Sequence, residues 1–109
     1  MALWNIVLWA AAGFNLLIGA GAMLQKGASR EGRMVGLLVL AFGVVYAFVA
    51  LEPARHLPML WAGVLGKAGA IAIMLPAVAR GEAPKALGWI LAGDALFVGF
   101  FLMMLLRMA

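Results

Sequence analysis

The chain has 109 residues, of which 68% are hydrophobic and 11% charged, whereas a soluble domain is about half apolar and about a quarter charged. Its net charge of +4 forms no basic stripe of the kind that binds nucleic acid, and the lack of cysteine excludes disulfides and thiolate chemistry. The apolar residues fall in four long runs that one soluble core could not bury, which predicts an integral membrane protein.

The four apolar runs predict four transmembrane helices within a single domain, residues 1–109. These helices cover about residues 2–24, 34–51, 59–79 and 87–106. Each run is close to the about 20 residues that a helix needs to cross about 30 Å of hydrocarbon, and none alternates as a barrel strand would. The first run has no basic segment before it, so it is expected to be a retained helix and not a signal peptide. Short connections make consecutive helices adjacent and antiparallel, which predicts an all-α, four-helix transmembrane bundle with up-down-up-down order.

An internal duplication is a further interpretation of the same sequence, in which two helical hairpins form a parallel repeat. A shift of 52 positions aligns residues 8–10 with residues 60–62, both Leu-Trp-Ala, and aligns Gly36 with Gly88. Apolar sequences also match one another by chance, so a bundle without duplication is equally compatible with these matches.

The distribution of basic residues predicts the orientation in the membrane. Five of them follow the first and third runs, namely Lys26, Arg30, Arg33, Arg80 and Lys85, whereas Arg55 and Arg107 lie on the opposite side. The excess of Lys and Arg in cytoplasmic loops places loops 25–33 and 80–86 in the cytoplasm and both termini in the periplasm. Because the difference is only five against two, a mixed topology is the alternative.

Ionisable residues inside the third and fourth runs carry the clearest functional signal. Either Lys67 or Asp94 would cost about 2.5 to 3.5 kcal/mol at a helix centre in lipid, so both are expected to face protein or water. When depth in the membrane is counted from the outer end of each helix, Asn15 lies within about 8 Å of Lys67 and Asp94. The sequence therefore predicts an intramembrane polar cluster or ligand site of Lys67, Asp94, Asn15 and Tyr46, although Tyr46 also fits an interfacial anchor.

Three interpretations of this cluster remain open. Lys67 and Asp94 could form a structural ion pair with Asn15 as an added hydrogen-bond partner. The same groups could line a site for a polar headgroup or a transported ion. Alternatively, Lys67 could extend along its helix toward the interface without meeting Asp94.

The connection 52–58 places an acid, a base and a histidine at the outer interface. Glu52, Arg55 and His56 could meet an external ligand or partner there, or they could form a solvated turn with a weak ion pair. Small residues predict close helix packing, because glycine lets two backbones approach where lipid supplies no hydrophobic force. The glycines assigned to such packing faces are Gly13, Gly19, Gly63, Gly66 and Gly93.

Two dipeptides within the later helices resemble those of a group of small, uncharacterised bacterial membrane proteins with four helices. In that group the third helix carries Gly-Lys and the fourth Gly-Asp, which here are Gly66-Lys67 and Gly93-Asp94. The resemblance covers about residues 36–106 and implies a bacterial inner membrane, but no activity. The small multidrug transporters are similar in length and helix number and depend on a Glu in the first helix. The first run here has Asn15 and no acid, so export by their mechanism is not expected.

The residue types predict no catalytic residue, no metal site and no cofactor, although a lipid or pigment could be bound. There is no nucleophile with a neighbouring base and no pair of carboxylates at depth. The first hypothesis is a non-enzymatic accessory subunit, or a binder of a lipid-like or hydrophobic ligand, within a membrane complex. The alternative is a small oligomeric transporter or channel that uses Lys67, Asp94 and Asn15. Expected partners are the lipid bilayer and either further copies of the chain or a larger membrane complex, without nucleic acid.

Overall fold

Helices account for almost all of the chain that the computed structural model describes, which is residues 2–108. The α-helices are α1 (Ala2–Leu24), α2 (Arg30–Leu51), α3 (Pro53–His56), α4 (Leu60–Ala79) and α5 (Lys85–Met108). Four helical segments, of 22, 22, 27 and 23 residues, are long and apolar enough to cross a membrane. The predicted all-α fold with four membrane-length helices is confirmed, and it is compatible with an integral membrane protein.

Helix α2 begins at Arg30, four residues before the predicted start of the second span. The hydroxyl of Ser29 accepts a hydrogen bond from the backbone N–H of Gly32 at 3.0 Å, which satisfies one of the unpaired donors of the first turn. Glu31 in that turn also complements the positive end of the helix. The prediction placed the start of the span after the last charged residue, Arg33. In the structure, the charged residues belong to the capped first turn of α2.

The connection 52–58 is also more ordered than a turn, because most of it is helical. Pro53 is at the start of α3, where its fixed φ and missing N–H suit the first helical turn. The N–H groups of Arg55 and His56 donate to the carbonyl of Glu52 at 3.2 and 3.1 Å. A 3-10 turn, Leu57–Met59, then leads into α4, so the third span extends over Pro53–Ala79.

The chain divides between Leu57 and Pro58 into two compact units. In the first unit α1 packs against α2, and the two helices are antiparallel. The backbone of Gly19 lies against that of Gly36, while Ala12, earlier on α1, lies against Gly43, later on α2. The prediction that these consecutive helices are adjacent and antiparallel is therefore confirmed for α1 and α2.

The second unit is a hairpin of α4 and α5. Near its turn, a Cβ added at Gly88 would lie 3.5 Å from the side chain of Val78. Farther from the turn, Lys67 on α4 meets Asp94 on α5. An earlier residue of α4 thus meets a later residue of α5, which confirms the prediction that these helices are antiparallel. The pairing places both charges inside the hairpin.

Candidate functional site

Lys67 and Asp94 form a buried ion pair between α4 and α5. The Nζ atom of Lys67 donates a hydrogen bond to Oδ1 of Asp94 over 2.6 Å. Only 5% of Lys67 and 9% of Asp94 is exposed. The structure therefore brings together the two charges that the sequence singled out within the apolar helices, and Lys67 is directed at a carboxylate and not along its helix.

An aromatic side chain of α5 also lies close to the ammonium group. Lys67 Nζ lies 5.4 Å from the centroid of the Phe97 ring, a distance at which the negative face of the ring attracts a cation. Phe97 in turn stacks on Phe101, with 6.1 Å between ring centroids and an interplanar angle of 30°. Asp94, Phe97 and Phe101 recur at three- and four-residue spacing, so they share one buried face of α5.

This arrangement joins two opposite charges in a buried ion pair. Each charge is neutralised by the other, and burial in an apolar setting strengthens their attraction compared with water. The charge-assisted hydrogen bond also fixes the register of the two helices, since a slip by one residue would turn one of the charges away from the other. The pair is therefore suited to holding α4 and α5 together.

Asn15 has a defined partner within the first unit. It is buried on α1, and its amide Nδ2 donates to the backbone carbonyl of Val39 on α2 at 3.1 Å. A carbonyl oxygen has two lone pairs, so Val39 can accept this bond in addition to one within the helix. That Asn15 joins Lys67 and Asp94 in one cluster stays a prediction.

Tyr46 is buried on α2, with 1% of its surface exposed. Its ring is tilted by 42° against that of Phe42, one turn earlier on the same helix, with 6.3 Å between centroids. Such a tilted contact is favourable between aromatic rings. The burial places Tyr46 inside the protein, unlike a typical interfacial anchor; its assignment to the polar cluster remains a prediction.

The outer-loop residues lie in and beside α3. Arg55 Nη1 is 3.7 Å from Glu52 Oε2, and the two side chains are 76% and 57% exposed. An ion pair this exposed contributes little to stability, because water screens it. His56 is half-buried in the last turn of α3. A role of these residues in meeting an external ligand remains a hypothesis.

Of the glycines assigned to packing, Gly19 lies where α1 and α2 approach most closely. A Cβ added there would come within 2.6 Å of the Gly36 carbonyl oxygen, whereas one added at Gly13 would meet nothing within 4 Å. Gly63 is buried on α4, Gly93 on α5 is half-buried and Gly66 is exposed.

Two glycines of α2 form the other side of this approach, and the sequence pattern had not identified them as packing residues. Gly36 and Gly43 are buried and lie against the backbone of α1. Their spacing of seven residues, two helical turns on one face, was the signal that could have identified them.

Among residues 2–108, no group of three His, Cys, Asp or Glu side chains is placed to hold a metal ion. Comparison of the chain with family models, with curated proteins and with solved structures found no match. The side-chain chemistry of Lys67, Asp94 and the helix surfaces is therefore the basis on which a function can be inferred.

Proposed function

We propose that this chain is a non-enzymatic protein of the bacterial inner membrane. It would serve as an accessory subunit of a larger membrane complex, or as the part of such a complex that holds a lipid-like ligand. The observation that supports this role most directly is the buried ion pair between Lys67 Nζ and Asp94 Oδ1, 2.6 Å apart. A buried pair of matched charges can fix the register of two packed helices, which is a structural role and not a reaction.

The small number of residues outside the long helices also supports an accessory role. Helices α1 and α2 are joined by residues 25–29, and α4 and α5 by residues 80–84, so little of the described chain lies outside the membrane-length helices. A partner would therefore meet this protein mainly through helix surfaces within the bilayer. Contacts of that kind depend on close packing of helices.

Several glycines leave the backbone of a helix open to such a contact. A Cβ added at Gly21 on α1, Gly69 on α4 or Gly99 on α5 would meet no atom within 4 Å. Small residues on an open helix face allow a second helix to approach closely in lipid. These positions support association with another membrane protein or with another copy of the chain.

Ion flux distinguishes this proposal from the alternative of a small oligomeric transporter or channel. The full chain reconstituted in liposomes is expected to give the same proton and cation flux as empty liposomes. Asp94→Asn, which keeps the shape of the side chain and removes its charge, is expected to leave that flux unchanged. Flux from the wild-type protein that Asp94→Asn abolishes, while circular dichroism shows that the variant keeps its helices, would establish the transporter and overturn the accessory role.

Enlargement of the open glycines tests the accessory role directly. We expect Gly69→Leu and Gly99→Leu to fold, because both sites have room for a side chain, but to lose a membrane protein that co-purifies stoichiometrically with the wild type in mild detergent. Ile73→Leu, a volume-conserving change at a residue that is 75% exposed, serves as the matched control and should retain that partner. Equal recovery with all three variants would contradict the proposed use of these faces.

The proposed orientation has both termini in the periplasm and loops 25–33 and 80–86 in the cytoplasm, as the excess of Lys and Arg predicts. Alkaline phosphatase fused after residue 109 should therefore be active, and the same enzyme inserted at Gly81 should be inactive. Replacement of Lys26, Arg30 and Arg33 by Gln should produce both orientations, since the charge difference would then vanish. Inactive terminal fusions of the wild type would reverse the assignment.

A further inference from the structure

Three basic side chains surround the connection between α1 and α2. Lys26, Arg30 and Arg33, here called the basic turn, are all exposed. Within residues 2–108, none of their side chains forms an ion pair or hydrogen bond. By contrast, Arg55 and Arg80 each have a glutamate within 4 Å. The basic turn therefore carries three positive charges, none of which is paired with a carboxylate within the described residues.

The backbone keeps these three charges close together. Gly27 has a φ of 77°, a conformation that residues with a Cβ rarely adopt, and it allows the chain to reverse between the helices. Ala28 N–H donates to the Gln25 carbonyl at 3.2 Å, and Arg33 N–H donates to the Ser29 carbonyl at 3.0 Å. Arg30 is three residues from Arg33 on α2, so their side chains are neighbours on one face.

The basic turn is bordered on both sides by exposed apolar residues. Leu24, the last residue of α1, is 81% exposed, and Met34, just after Arg33, is 54% exposed. In a membrane, such residues belong in the hydrocarbon, so the neighbouring charges lie at the level of the phosphate headgroups. Long basic side chains at this level extend toward the headgroups while their stems stay in apolar surroundings.

We propose that the basic turn binds the headgroups of anionic phospholipids, with the acyl chains lying against the apolar residues beside it. Unneutralised positive charge at the headgroup level attracts anionic lipid. The exposed apolar border favours a lipid over a free phosphate ion, because a free ion would gain nothing from Leu24 and Met34. This inference requires that the chain spans a membrane, but it is independent of the roles proposed for Lys67, Asp94 and the open glycines.

Competition between two lipids tests the proposal. The full chain in mild detergent is mixed with equal amounts of phosphatidylglycerol and phosphatidylcholine, and native mass spectrometry gives the ratio of the two lipids bound. The wild type should favour phosphatidylglycerol. Removal of one basic side chain should lower the ratio about fivefold, and the triple variant with Gln at all three positions by up to about a hundredfold.

Matched variants distinguish binding at the basic turn from a general effect of the protein's positive charge. Arg55→Gln and Arg80→Gln remove guanidinium groups that already face a glutamate, and they should leave the ratio nearly unchanged. Glu31→Gln, which removes the exposed acid between Arg30 and Arg33, should raise the ratio. Circular dichroism confirms that each variant keeps its helices, and added salt should weaken the wild-type preference without any mutation.

Three results would overturn the proposal. The first is a triple variant that retains the wild-type preference, and the second is an equal loss from the paired controls. The third is displacement of phosphatidylglycerol by inorganic phosphate at the same concentration, which would identify a site for free anions. A protein whose four helices fail to insert into liposomes would refute membrane insertion itself, which is a failure distinguishable from all three.

Discussion

Lys67→Met is expected to destabilise the fold by about 3 to 5 kcal/mol, the usual cost of leaving one partner of a buried ion pair without the other. The Asp94 carboxylate would lose the cation 2.6 Å away and remain largely buried. Unfolding of the full chain in mixed micelles by sodium dodecyl sulfate, followed by circular dichroism, measures this change in the free energy of unfolding.

The double variant Lys67→Met with Asp94→Leu separates a structural pair from a functional one. Replacement of a buried ion pair by apolar side chains of similar size is often neutral or even stabilising, so the double variant should recover most of the lost stability. Lys85→Met, at an exposed lysine at the start of α5, is the control and should change stability little. If the single variant Lys67→Met unfolds at the same concentration of sodium dodecyl sulfate as the wild type, the ion pair does not hold α4 and α5 together.

The accessory role also predicts how the same double variant binds a partner. If the ion pair only fixes the register of two helices, the apolar replacement should still co-purify with the wild-type partner. A stable double variant that lost this partner would instead show that the charges themselves are recognised. Stability and partner binding, measured on one protein, thus assign the pair to the fold or to recognition.

The sequence predicted the helices and the inward position of Lys67 and Asp94, because both follow from the cost of polar groups in lipid; the ion pair itself was one of three interpretations. Backbone amides must be satisfied within each span, which requires helices of about 20 residues. The same cost predicts that Lys67 and Asp94 turn away from lipid. Their contact also required α4 and α5 to be antiparallel neighbours, and the short connection between them made that arrangement predictable.

Features that depend on local hydrogen bonds were harder to predict. The start of α2 at Arg30 depends on the Ser29 cap, and the helix at Pro53 depends on donors that return to the Glu52 carbonyl. Both lie where charge and proline suggested a loop. The hydrogen bond from Asn15 to the Val39 carbonyl could not be predicted from the sequence, because every residue of α2 offers the same backbone acceptor.

Gly19→Ala is expected to destabilise the first unit by about 1 to 3 kcal/mol or more, as overpacking of a close contact does. The new Cβ would overlap the backbone N of Leu40 and would lie 2.6 Å from the carbonyl oxygen of Gly36. Backbone atoms cannot rotate away as a side chain can, so α1 and α2 would have to separate. The same detergent unfolding measurement applies to this variant.

A graded series of alanine variants tests that explanation. Gly36→Ala should cost nearly as much as Gly19→Ala, since its Cβ would lie 2.8 Å from backbone atoms of Gly19 and Met23. Gly43→Ala should cost less, because its contacts begin at 3.0 Å and include the movable side chain of Leu16.

Gly21→Ala is the matched control on α1, because its Cβ would meet nothing within 4 Å. Without a contact to oppose it, the change should be neutral or stabilise by up to about 1 kcal/mol, since alanine favours a helix over glycine. Gly19 is two residues away on the same helix, so helix propensity and depth in the membrane hardly differ between the two sites. Equal destabilisation at both would mean that the close approach of α1 and α2 does not limit the size of these residues.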